Sequence, residues 1–168
     1  IKNAQRQMIA ALPYTKASFA FFLSKTAFWK DDGLPATLWS DDPYLGRIFA
    51  LGDNPPLLKL WVSGDASDQL DRLNDDALCA AVIPRIEAAR PAAKGQLSLL
   101  KRFSWNQQNM ARGTYHHLGV GQVSALAQCA RESDGPIYFA GEHLGSRTSG
   151  MEAALESAEQ AFRHITNN

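Results

Sequence analysis

The apolar positions of this chain change period several times along its length, and each change marks an element. Residues 3–11 carry Ala4, Met8 and Ile9 at spacings that predict one face of a helix, closed by Pro13. Residues 16–23, rich in phenylalanine, predict a strand. Ala27-Phe28-Trp29-Lys30 before Asp31-Asp32-Gly33 predicts a strand end entering a turn. Apolar runs at 36–40, 47–51 and 57–62, separated by Asp41-Asp42-Pro43 and by a segment with Pro55-Pro56, predict successive antiparallel strands with tight turns. Trp39, Phe49 and Trp61 in these runs either line a cavity or, as strand aromatics more often do, fill the core. The next section is helical, with Asp65 and Asn74 as N-caps and Leu78, Val82 and Ile86 on one face. Pro84 inside that pattern predicts a kink or a split. Arg90-Pro91 ends it, residues 97–103 predict another strand, and residues 122–130 a short helix.

The end of the chain is the most informative stretch. Residues 136–140, with Ile137, Tyr138 and Phe139, predict a core strand. Gly141-Glu142-His143 follows, then a loop to Ser149. Ser149 and Glu152 have the spacing of a capping box. Met151, Ala154, Leu155, Ala158, Phe162 and Ile165 recur at threes and fours, which predicts an amphipathic helix with one face packed on a sheet. A strand that ends in Gly-acid and feeds a helix N-terminus presents free amides and a positive dipole end to an anion.

Composition narrows the classes. The chain has 168 residues, 45% of them apolar, which is enough for a sizeable core. Lys plus Arg and Asp plus Glu are 17 each, with no long basic run, so nucleic acid and anionic membrane are not expected as partners. No segment has the length of apolar sequence needed to cross a bilayer. Cys79 and Cys129 lack metal or disulfide spacing and read as two small buried hydrophobes. His116-His117 point to opposite sides of an extended chain and do not share a ligand, so no metal site is expected there.

Two stretches, IYFAGEH with SGMEAALESAEQA, and Trp105 followed eight residues later by Gly113-Thr114-Tyr115, resemble the flavin-containing amine oxidases, the family of monoamine, polyamine and L-amino acid oxidases. The resemblance implies an α+β fold: an antiparallel substrate-domain sheet with helices, plus the C-terminal strand and helix of a Rossmann-like FAD-binding domain. It places the C-terminal half of the substrate-binding domain at 1–133 and the strand-loop-helix of the FAD-binding domain at 134–168. It implies that Gly141, Glu142, Gly150 and Met151 contact FAD, Glu142 at the ribityl-phosphate part and the Met151 amide at the pyrimidine end of the flavin ring. Tyr115 falls on one wall of the family's substrate cage, with Trp105 beside the site. Where some relatives hold a flavin-attaching Cys stands Thr114, which implies non-covalent FAD. His143 is implied to be structural rather than catalytic.

The sequence also departs from the family. LPYTKASFAFFLSKTAFW resembles a strand that in many members carries a Lys ten residues before the Trp; Phe19 stands there, and Lys16 is out of register for that face. No catalytic residue is therefore assigned. Gly150 stands where the second aromatic wall would be, which implies a wider pocket. The glycine-rich N-terminal unit that holds the FAD pyrophosphate is not among these residues, so the expected partner is an N-terminal FAD-binding segment or subunit. A truncated chain and one polypeptide of a processed enzyme both stay open. The expected activity is oxidation of an amine or L-amino acid to an imine with formation of hydrogen peroxide, inactive without the N-terminal part. The alternatives are a non-catalytic fragment or assembly module, or another flavin class such as a desaturase or porphyrinogen oxidase. A homo-oligomer and a cytoplasmic location complete the expectations.

Overall fold

The computed structural model describes residues 1–129, 133–147 and 150–167. The chain forms two compact units, one of Lys16–Thr114 and one of Ile1–Thr15 with Tyr115–Asn168. The functional division expected at 133/134 does not coincide with a boundary between these units.

The unit of Lys16–Thr114 is built on five antiparallel strands: β1 (Ala17–Ser24), β2 (Thr37–Trp39), β3 (Arg47–Asp53), β4 (Pro56–Ser63) and β5 (Leu97–Ser104). Their order is β2-β3-β4-β1-β5, so the phenylalanine-rich β1 lies inside the sheet between β4 and β5. Alternation decides which side chains reach the core. Ala20 and Phe22 of β1, Ile48 of β3 and Leu58, Leu60 and Val62 of β4 are buried with Leu70, Leu78, Val82 and Ile86 of two covering helices. These helices are α2 (Asp65–Asp71) and α3 (Asp75–Ala89). Asn74 caps α3, its side chain accepting from the Ala77 amide at 2.8 Å. Asp65 is instead the first helical residue, behind Gly64, where its charge favours the helix dipole. Pro84 does not split α3. The break falls between α2 and α3, and the buried Leu78, Val82 and Ile86 hold the longer helix on the sheet across the proline.

Two polar devices close this core. Asp71 accepts from Ser18 of β1 at 2.7 Å, Ser104 of β5 at 2.6 Å and Asn106 at 3.0 Å, tying α2 to the sheet. Arg90, wholly buried, donates from Nε and Nη2 to the two oxygens of Asp32, each at 2.9 Å, and from Nη1 to the Pro35 carbonyl at 3.0 Å. Gly46 meets a close approach: at φ 48°, an added Cβ would stand 2.5 Å from the Trp61 carbonyl oxygen. A glycine is required there.

The unit of Ile1–Thr15 and Tyr115–Asn168 contains α1 (Asn3–Ala11), α4 (Gln122–Cys129) and α5 (Gly150–Thr166). Met8, Leu126 and Leu144 form its small core, flanked by Leu12, Leu118 and Phe139. Ile9, expected on the packed face of α1, points to solvent, and Gln5 is buried in its stead. Residues 136–140 do not form the expected core strand: their one bridge is the local pair Asp134↔Ile137. A strand needs a neighbour for its backbone groups, and the described residues offer it none. The helix α5 forms as expected, yet its apolar stripe is bare: Met151 is 84% exposed, Leu155 65% and Phe162 64%. Ala153 and Ser157 are its buried residues. The capping box expected at Ser149 lies outside the described residues. Among the described residues no helix is long and apolar enough to cross a membrane.

Candidate functional site

Glu142 opens a short turn, Glu142–Leu144, that Leu144 pins into the core. A Cβ on Gly141 would stand 2.6 Å from His143 Cε1, so the glycine leaves room for that imidazole. The turn is bound to α5 by Ser157. Its hydroxyl accepts from the Gly141 amide at 2.8 Å and donates to the carbonyl of Gly141 or of Ala154, both 2.9 Å away. Farther along, Ser146 Oγ donates to Glu156 at 2.5 Å, so the loop before α5 is also tied to that helix.

The other side of the turn is the bridge Tyr14↔His116, fixed by the Thr15 amide donating to the Tyr115 carbonyl at 2.8 Å. This bridge delivers His116 Nδ1 to Glu142 Oε2 at 2.6 Å. His117 turns the other way, its Nδ1 lying 3.2 Å from Thr15 Oγ1, so the two imidazoles diverge as extended backbone requires. Burial raises the Tyr14 phenol above its ordinary value, and the charge of Glu142 adds to this. Burial lowers His143 below its ordinary value; His116, whose ring centroid is 6.2 Å away, lowers it further against the opposing pull of Glu142. The result is a carboxylate held through Oε2 by His116.

The cofactor residues expected from the sequence therefore fall on one framework: Gly141 and Glu142 on the turn, Gly150 and Met151 at the first turn of α5. Gly150, at φ 66°, has nothing within 4 Å of an added Cβ, and Met151 is the most exposed residue of the apolar stripe. Tyr115 is exposed and sits one residue from His116. Such a donor and acceptor set fits a flavin nucleotide chemically: amides at a helix start suit its electron-rich pyrimidine edge and a carboxylate suits its ribityl hydroxyls.

Trp105 belongs to the other unit, at the end of β5, where its ring stands edge-on to Phe103 at 5.1 Å. There the sheet has a second, outward face. Cross-strand register lines up Phe49, Lys59 and Phe21 in one row and Arg47, Trp61, Phe19 and Phe103 in the next. Trp39, Phe49 and Trp61 thus lie on this face and not in the core. Arg47 lies over Trp39, 4.0 Å from the ring centroid, and Lys59 Nζ over Phe19 at 4.0 Å.

Sequence reasoning did not single out His116 as the partner of Glu142, nor Tyr14 or Lys59. For Lys59 the signal was present: it alternates with Leu58 and Leu60, which places it opposite the core. For His116 there was none, because a contact across 26 residues leaves no local pattern.

The sequence model of the family "Flavin containing amine oxidoreductase" matches residues 2–166. Among curated proteins, the horse flavin-containing amine oxidase A is 25% identical over 181 residues, covering 99% of this chain and 33% of that protein. The mouse L-amino-acid oxidase is 25% identical, covering 100% and 28%, and a flavin-dependent L-tryptophan oxidase of Lentzea aerocolonigenes 25%, covering 95% and 36%. The chain spans about a third of the length of these relatives. Among solved structures, cyclohexylamine oxidase from Brevibacterium oxydans has the same fold at TM-score 0.81 and 18% identity, over 99% of this chain and 38% of that one. Putrescine oxidase bound to putrescine superposes at TM-score 0.78 and 17% identity, over 100% and 38%. The chain belongs to the flavin-containing amine oxidoreductase family, an assignment that the antiparallel sheet, the Glu142 turn and α5 all accompany.

Proposed function

We propose that this chain is part of an FAD-dependent oxidase that converts an amine or an L-amino acid to an imine while oxygen becomes hydrogen peroxide. Two electrons and two protons leave the substrate's C–H and N–H bonds and end on O2. A bound flavin would supply the hydride acceptor and the reaction with oxygen. This chain's own residues would bind and orient. Glu142, held by His116, would accept from the ribityl hydroxyls. The start of α5, at Gly150 and Met151, would hold the flavin's pyrimidine edge, where a helix N-terminus would stabilise the negative charge of the reduced ring. Tyr115 would border the substrate, and Gly150, where relatives carry an aromatic, would leave room for substrates bulkier than a simple monoamine. Thr114 carries no thiol, which supports non-covalent attachment. On this reading residues 134–168 complete an FAD-binding domain, and the segment holding the pyrophosphate belongs to another stretch or subunit.

The observation that carries the reading is the Glu142 carboxylate fixed by His116 beside a turn bound to α5. A visible absorption spectrum of the natively purified protein, with the intact mass of every polypeptide in it, tests it. Flavin bands released by acid precipitation, with peroxide formed from an amine or an L-amino acid, are expected. A colourless preparation that forms no peroxide when FAD is added would favour a non-catalytic assembly module.

A further inference from the structure

In the Lys16–Thr114 unit, Lys16, Lys30, Arg85, Arg90 and Arg102 each reach a carboxylate. Lys59 and Arg47, among the described residues, reach rings only. The Lys59 ammonium stands 4.0 Å from the ring centroid of Phe19, 4.8 Å from Trp61 and 5.8 Å from Phe49. Rings offset part of the loss of water around a cation, but they carry no countercharge. Burial accordingly lowers the Lys59 amine below its ordinary value. The two cross-strand rows around it, Phe49-Lys59-Phe21 and Arg47-Trp61-Phe19-Phe103, contain no acidic residue. Phe21, directly opposite Lys59, continues into an open concavity of about 580 Å³ that Phe19, Leu100, Lys101, Phe103 and Trp105 also line.

An uncompensated cation next to an aromatic concavity matches a ligand with an anionic end and a flat apolar body. We propose that this face binds an aromatic carboxylate, its carboxylate on Lys59 Nζ and its ring against Phe19, Phe103 and Trp105. An α-amino acid with an aromatic side chain has both parts, so the inference narrows the substrate class proposed above and rests on that reading for the ligand's biological identity.

Binding is tested apart from turnover. Ligand-detected NMR on the purified protein compares 3-phenylpropionate with its uncharged isostere 3-phenylpropionamide. The acid is expected to bind about tenfold tighter or more, the size of one charge-assisted contact. The preference is expected to vanish in Lys59→Gln, to persist in Lys59→Arg and to persist in Lys101→Gln, with unchanged thermal unfolding showing that each variant folds. Equal binding of acid and amide, no binding of either, or a preference that survives Lys59→Gln overturns the inference. Acid preference without oxidation of any amine or amino acid by the natively purified protein, with every polypeptide in it and FAD added, would overturn the proposed oxidase alone. Oxidation without acid preference would overturn the Lys59 site alone.

Discussion

His116 and Glu142, 26 residues apart, meet at 2.6 Å between Nδ1 and Oε2. The contact aims a carboxylate that the backbone of a short turn alone would leave free to rotate. Replacing Glu142 by Gln keeps the shape and removes the charge. Flavin affinity, measured by fluorescence on titration, is expected to fall about tenfold or more, since a hydrogen bond to a charged group contributes ~1.5–3 kcal/mol. His116→Ala should give a smaller loss that His116→Gln partly restores. Unchanged affinity in Glu142→Gln would remove this residue from the cofactor site.

Arg90 and Asp32 form the most deeply buried ion pair of the sheet unit, the arginine wholly covered and the aspartate nearly so. Removing one partner strands the other's charge away from water. Arg90→Ala and Asp32→Ala are each expected to cost about 3–5 kcal/mol in chemical denaturation. Arg90→Lys should not rescue, because it cannot reach both Asp32 oxygens and the Pro35 carbonyl at once. A loss under 1 kcal/mol in all three would show that the pair is dispensable.

His143 is half-buried, and its imidazole is lowered from its ordinary 6.5 by burial first and by His116 next, with Glu142 opposing. Between its folded value and 6.5 the unfolded chain binds more protons, so stability rises with pH through that window. Its contribution is complete above 6.5 and lost as pH falls through the lowered folded value. Urea midpoints measured across this range should rise with pH, and His143→Phe should flatten the rise. An equal slope in the variant would assign the dependence to another group.

The stripe of Met151, Leu155, Phe162 and Ile165 on α5 is exposed. Apolar surface of this kind drives association. Light scattering is expected to show concentration-dependent association of the chain on its own, and Leu155→Lys with Phe162→Lys should reduce it. If the double variant associates as strongly as the parent, the contacts lie elsewhere.

Where one face of a segment is apolar and the other polar, the sequence is a sufficient guide. The alternation of 57–62 and the shared face of Leu78, Val82 and Ile86 place those residues in the core, where they are found. In β1 both faces are apolar, and alternation cannot tell Phe22, in the core, from Phe19 and Phe21, outside it. The same ambiguity hides the outward placement of Trp39, Phe49 and Trp61. At 136–140 the local pattern suits a strand, but strand formation depends on a neighbour, which no local pattern encodes. Amphipathicity locates α5, and only packing shows that its stripe is uncovered. Gly141, Glu142, Gly150 and Met151 are singled out by motif resemblance alone; the contacts of His116 with Glu142 and of Ser157 with Gly141 are tertiary and leave no local pattern.

The two-sided sheet separates what keeps this chain folded from what it can meet. The inward aliphatics of the strands, with Asp71 and Arg90 in the layer that covers them, lie on one face, and Phe19, Phe21, Lys59, Trp61 and Phe103 on the other. Changes at the second set leave the first untouched, so ligand preference can drift among homologues, or be rewritten in a library confined to those five codons, while the fold beneath stays constant.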